Sequence, residues 1–130
     1  MRSLVFLMLV FVFACGRQNV QDRSTLGTVS FETSGDEKAK PHFEKGLLLL
    51  HSFEYEDART SFVKAREIDP DFYMAYWGEA MTFNHPLWSA QYTEEGREAL
   101  NRLSENADER IDLAPTELER DLMGGVNILF

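Results

Sequence analysis

The chain has 130 residues, 44% hydrophobic and 27% charged, with 22 acidic against 13 basic side chains and a formal net charge of -9 at pH 7. Binding a phosphate backbone needs a basic face, so this balance excludes nucleic acid as an expected partner. One cysteine excludes an internal disulfide and a multi-cysteine metal site, and a change of character after about 35 residues leaves roughly 95 for a folded unit with a thin core.

The opening MRSLVFLMLVFVFACG sets one basic residue, Arg2, before an apolar run from Leu4 to Ala14. That run is too short for a bilayer core of about 30 Å, which takes about 20 helical residues, and it reads as the core of a signal peptide over residues 1–14. Ala14-Cys15-Gly16 resembles the bacterial lipoprotein signal, which implies that Cys15 is lipidated and becomes the first mature residue; an ordinary secretory signal with an incidental thiol is the alternative. Lipidation would hold the protein at a membrane while the folded part stays aqueous. Gly16 after the cysteine resembles the sorting pattern for the outer membrane, so the expected location is the bacterial cell envelope, lipid-anchored, facing the periplasm. Residues 15–36 are polar and read as a tether, within which LGTVSFETS alternates enough for a short extended segment lying on the first helix.

Helical periodicity begins after Asp36. Phe43, Gly46, Leu47, Leu49, Leu50 and Phe53 predict a helix over about residues 37–52, with Pro41 tolerated in the opening turn. Tyr55, Ala58, Phe62, Val63 and Ala65 predict a second over 56–68, ended by Asp69-Pro70. A third spans 72–84 and stops before Pro86, in what reads as an enlarged turn, Asn84-His85-Pro86-Leu87-Trp88. A fourth is expected over 93–105. A fifth opens at Thr116 and Glu119, spaced as a capping box, and carries Leu118, Leu122, Val126 and Leu129 on one apolar face with no polar stop. Such a face is buried in a repeat array only by a further repeat, so the sequence predicts the N-terminal part of a longer array or a poorly anchored last helix open to self-association.

Residues 39–72 resemble a tetratricopeptide repeat, with Gly46, Ala58, Phe62, Ala65 and Pro70 at the spacings where that family carries small, aromatic and turn residues. Mechanically, small residues let two antiparallel helices approach, Phe62 fills the gap and Pro70 fixes the turn onward. His42 and Lys45 stand where the family has Trp and Leu. The next unit begins at Tyr73, matches at Tyr76, Ala80 and Phe83, and departs at Gly96, where Phe is usual. The longer run from residue 26 to 130 is similar to a group of bacterial tetratricopeptide-repeat proteins that are generally longer, a likeness that implies no activity. The resemblance implies an all-α fold of antiparallel helix pairs forming a short right-handed solenoid over residues 37–130, divided as 37–72, 73–106 and 107–130.

The family binds extended partner segments in the groove lined by each unit's first helix. Here the resemblance places that groove at Lys40, Phe43, Glu44, Leu47, Leu50 and His51, then Met74, Trp77, Gly78, Met81, Asn84 and His85. Met and Trp there suit an adaptable apolar pocket, although Trp77, Met81 and Trp88 could equally be ordinary packing. The expected function is therefore a membrane-anchored scaffold for a protein or peptide partner. The alternative is a periplasmic metal- or small-ligand-binding module using His51 and His85, which occupy equivalent places 34 residues apart. Zinc would want further ligands and no cysteine remains to supply one, so the expectation is no metal and no cofactor, with the histidines closing helix ends. Ser52 and Ser61 lack a Gly-rich elbow and the carboxylates lie in runs on solvated faces, so no catalytic residue is expected and the chain does not read as an enzyme. Lys45 and Glu79, also 34 apart, both stand where the family buries Leu. They are expected to form an inter-repeat ion pair, the rival being that Lys45 reaches solvent and Glu79 bonds to a Tyr or His.

Overall fold

The computed structural model describes residues 26–130; the expected signal segment, Cys15 and the start of the tether lie outside them. The first helix, α1 (Lys40–His51), carries Pro41 in its opening turn, where no intrahelical hydrogen bond is lost. It starts at Lys40 rather than at 37 because the Ala39 and Lys40 N–H groups both donate to the Asp36 carbonyl, at 2.9 and 3.0 Å, and make a separate turn. Its inner face is Phe43, Gly46, Leu47 and Leu49. At the other end the Phe53 N–H donates to Leu50 O at 3.1 Å and the Glu54 N–H to Leu49 O at 3.0 Å. This paired closure requires a left-handed residue just beyond the helix, a place usually given to glycine, and Phe53 takes it with φ 62°.

The second helix, α2 (Tyr55–Ile68), has Glu56 and Asp57 in its first turn and Arg66 in its last, signs that complement the helix dipole. Tyr55, Ala58, Ser61, Phe62 and Ala65 form its buried stripe. It ends where Asp69 turns extended before Pro70. The third, α3 (Tyr73–Met81), is buried on nearly every side, as a helix that packs against α1 and α2 and against two later helices must be. Phe62 explains how closely these three approach: a Cβ at Gly46 of α1 or at Gly78 of α3 would lie 2.7 or 2.4 Å from its ring.

The enlarged turn after α3 is a small hairpin. Strand β1 (Asn84–His85) pairs antiparallel with β2 (Ala90–Gln91), in register Asn84 to Gln91 and His85 to Ala90, around a 3-10 turn at Pro86–Trp88. Helix α4 (Thr93–Asn101) returns against α3 and ends earlier than expected. A short α5 (Ala107–Asp112), which the periodicity does not predict, follows; the Asn106 side chain accepts from the N–H groups of Asp108 and Glu109 and starts it. The last helix, α6 (Glu117–Leu129), is capped by Thr116 as expected, with the Glu119 N–H donating to Thr116 Oγ1 at 3.2 Å. It is not uncovered: Glu119, Met123, Val126 and Phe130 are buried, α6 packs on α3 and α5, and Leu122 and Leu129 lie partly against the core. Only Leu118 of the expected apolar face stays exposed, with Ile128 beside it in the sequence of outward positions.

Residues 26–35 carry neither helix nor strand, and their side chains alternate between half-buried and exposed up to the buried Gly35. The Phe31 ring stands 5.9 Å from that of Phe43. Ser34 donates its N–H and its hydroxyl to Glu119 Oε1, at 3.0 and 2.9 Å, and the Asp36 N–H donates to the Asp69 carboxylate at 2.8 Å. The segment is thus fastened to α6 and to the end of α2. The protein over the described residues is all-α apart from the two-residue strands, and among those residues no helix is long and apolar enough to cross a membrane.

Candidate binding surface

The expected groove is partly core. Phe43, Leu47 and Met74 are buried, and Phe43 meets the rings of Phe31, Phe62 and Phe72 at 5.1 to 5.9 Å. Gly78 faces Phe62 rather than an open channel. Leu50, Trp77 and Met81 are half-buried and packed against the core, while Asn84 is taken into the β1 bridge. Lys40 pairs with Glu37 at 2.6 Å, a contact that raises its pKa. His51 is exposed at the end of α1. His85 sits within 2.9 Å of the Thr82 carbonyl through Nε2, closing the end of α3.

An aromatic surface lies instead at the edge formed by the α1–α2 and α3–α4 turns. The His85 imidazole stacks on Tyr55 with centroids 3.8 Å apart and planes 16° from parallel. Trp88 stands edge-on to Tyr55, His85 and Phe53 at 5.9, 6.3 and 6.2 Å, and Tyr92 meets His85 edge-on at 5.0 Å. Three of these rings and a neighbouring leucine face water: Phe53 is 47% exposed, Trp88 61%, Tyr92 45% and Leu87 65%. Two of the turns that present them are strained. Phe53 and Ser89 are the only non-glycine residues with positive φ among those described, at 62° and 50°, and they flank this surface on its two turns. Sequence reading placed Phe53 on a helical stripe and did not single out Leu87 or Tyr92; the signal was a turn that spends Pro, Leu and Trp where a plain connection would use small polar residues.

Beside the rings is a cleft of about 320 Å³ lined by Phe53, Glu54, Tyr55, Glu56, Asp57 and His85. The arginines of α2 turn away from it. Arg59 donates to Thr82 Oγ1 at 3.1 Å and lies over the Phe83 ring, and Arg66 goes to Glu79.

Four buried groups with polar ends, Glu79, Glu119, Arg110 and Tyr73, tie the helices together. Both oxygens of Glu79 are occupied, one by Arg66 at 3.0 Å and the other by Arg102 at 2.8 Å. Those arginines, from α2 and from the end of α4, replace the expected Lys45; Lys45 lines a cleft on the outer side of α1 and α2 with His42, Lys64 and Glu67. The Glu119 carboxylate does not return to the Thr116 backbone as a capping box would have it, but takes the Ser34 donors and the Thr116 hydroxyl, the last at 2.9 Å. Arg110 donates to Asn127 Oδ1, Asn101 Oδ1 and Ser104 O at 2.8, 3.2 and 2.6 Å, and burial lowers its pKa. Tyr73 donates to the Arg110 carbonyl at 2.6 Å, and burial, reinforced by Glu119, pushes its pKa up to about 12. Each of these groups is satisfied inside the frame, so their arrangement is structural. Among the described residues no group of three or more His, Cys, Asp and Glu side chains is placed to hold a metal ion.

No protein-family model matches the sequence, and comparison with curated proteins and with solved structures gives no match.

Proposed function

We propose that this protein is a docking module: a tetratricopeptide-like helical array, attached to the bacterial envelope by a lipid on Cys15, that binds a protein partner through the aromatic edge. The observation that carries the reading is the exposed apolar surface of Phe53, Leu87, Trp88 and Tyr92, presented from two turns that each hold one left-handed residue, Phe53 and Ser89. An apolar surface of this kind costs solubility and its turns cost conformational energy, and both are retained where contact with another molecule offsets them. Aromatic rings at the centre of a contact contribute most of the energy in protein interfaces. The groove of the family resemblance contributes less to this reading, because Phe43, Leu47 and Met74 serve the core.

The test places a photo-crosslinking phenylalanine analogue at Leu87 in the full chain, expressed in cells with an envelope, with the same analogue at exposed Glu105 as control. A discrete adduct from position 87, absent from 105 and lost on Trp88→Ala, is the expected result. No adduct, or equal adducts from both positions, overturns it. Fatty-acid labelling of the wild type that persists in Cys15→Ser removes the lipid anchor from the proposal and leaves the docking surface standing.

A further inference from the structure

We infer that the cleft beside the aromatic edge receives a cationic side chain, lysine or arginine, of the docked partner segment; the inference rests on the docking reading given above. The cleft is lined by the rings of Phe53, Tyr55 and His85 and by three acidic residues, Glu54, Glu56 and Asp57. Complementing the dipole at the start of α2 accounts for Glu56 and Asp57 as helix residues. Glu54, at the N-cap, makes no side-chain capping hydrogen bond, and the dipole does not account for the rings that line the same cleft. A lysine or arginine suits both kinds of lining. Its aliphatic stem lies along an aromatic face, its charge is attracted by ring quadrupoles, and its head reaches carboxylates at the cleft mouth.

Neutral and anionic groups fit worse. An apolar side chain would strip water from carboxylates without replacing it, and an anion would meet three like charges. Among the described residues the two arginines of α2 are engaged elsewhere, Arg59 with Thr82 and Phe83 and Arg66 with Glu79. Leu87 and Trp88, exposed next to the cleft, give the neighbouring apolar residues of the same segment a surface to cover, which favours a peptide over a free amine. The formal charge of -9 draws such a segment toward the protein before contact.

The experiment titrates the full chain with three short capped peptides of sequence Gly-Leu-X-Leu-X-Gly, where X is lysine, norleucine or glutamate. Binding is read from the Trp88 indole resonance, assigned with Trp88→Phe. The lysine peptide is expected to shift it, about tenfold more tightly than the norleucine peptide, with binding weakened by added salt. Glu54→Gln should weaken the lysine peptide several-fold; lying outside α2 and exposed, it leaves the fold intact, and a thermal melt verifies this. Equal binding of lysine and norleucine peptides overturns the cationic assignment while leaving an apolar docking surface. Preference for glutamate, no response to any peptide, or indifference to Glu54→Gln also overturns it, and the crosslink from Leu87 then decides separately whether the edge docks a partner.

Discussion

Phe53 concentrates the conflict between stability and surface in one residue. Its backbone at φ 62° closes α1 in the way a glycine usually does, and a side chain there costs about 1 kcal/mol or more. Two substitutions separate backbone from ring, because Phe53→Gly and Phe53→Ala both delete the ring while only Gly relieves the strain. The Gly variant is expected to be more stable than the Ala variant by about 1 kcal/mol in urea unfolding; equal midpoints would mean the turn relaxes when the ring is gone. Nothing in the sequence announced this, since left-handed closure is normally read from a glycine and none is present. Tyr73 gives the second residue-scale prediction. With its pKa pushed to about 12 against an ordinary 10.0, it holds its proton in the folded chain after the unfolded chain has begun to lose it. Stability contributed by the protonated phenol is complete below pH 10 and drains away as pH rises from there toward 12. Tyr76, also raised by burial, adds to the same slope. Urea midpoints should therefore fall through this range, and Tyr73→Phe should flatten the fall; an unchanged slope in that variant would show that other groups govern it.

Among the elements, Glu79 does the work that the repeat spacing assigned to a different pair. That a carboxylate in α3 would be buried was legible, because it stands where the family resemblance expects Leu, and a buried carboxylate needs a partner. Its partners were not legible. Arg66 and Arg102 lie 13 and 23 residues away, at no repeat interval, and only the crossing of α2 and α4 over α3 brings both to one carboxylate. Glu79→Gln is expected to cost about 2 kcal/mol, because it leaves the partly buried Arg66 guanidinium without its counter-charge. Arg102→Ala should cost less than half as much, since Arg102 is 44% exposed and Arg66 keeps the carboxylate paired. Reversal of that order would make Arg102 the main tie between α3 and α4. The long helices α1, α2 and α3 were readable from apolar periodicity. Helix α5 was not, since it has six residues and its buried member is Arg110. The fate of α6 was misjudged because its buried face is only partly the leucine face: Val126 turns inward with Glu119, Met123 and Phe130, while Leu122 and Leu129 lie partly against the core. Phe62, Gly96 and Phe130 are spaced by 34 residues, and Phe130 packs on Gly96, where a Cβ would come within 2.4 Å of its ring. Phe130 thus meets Gly96 much as Phe62 meets Gly46 and Gly78.

For the molecule as a whole, the segment before α1 joins parts far apart in sequence. Ser34 and Glu119 are separated by 85 positions, and the alternation in LGTVSFETS pointed to contact with α1 but not to a fastening on α6. Ser34→Ala removes one of the donors on a fully buried carboxylate and should cost about 1 kcal/mol, with amide exchange accelerated over residues 31–36 more than in α2. Unaltered exchange there would mean that Phe31 on Phe43, rather than Ser34, holds the segment. The aromatic edge was the least legible feature at this scale, because its rings come from two turns and no single stretch of sequence shows them side by side.

The same fastening has a mechanical meaning. For a chain pulled from its N-terminal side, tension arrives first at residues 26–36, which are held by hydrogen bonds to Glu119 and Asp69, by the Phe31 ring on Phe43 and by Leu26 and Val29 against the core. These attachments are expected to give way before a helix pair does, freeing a stretch of about ten residues that spans at most roughly 35 Å. Helices α1 to α3 and the aromatic edge are expected to stay whole as it is freed. On the proposed reading of a lipid anchor and a docked partner, the strap would act as a fuse between the two, lengthening before load reaches the aromatic edge.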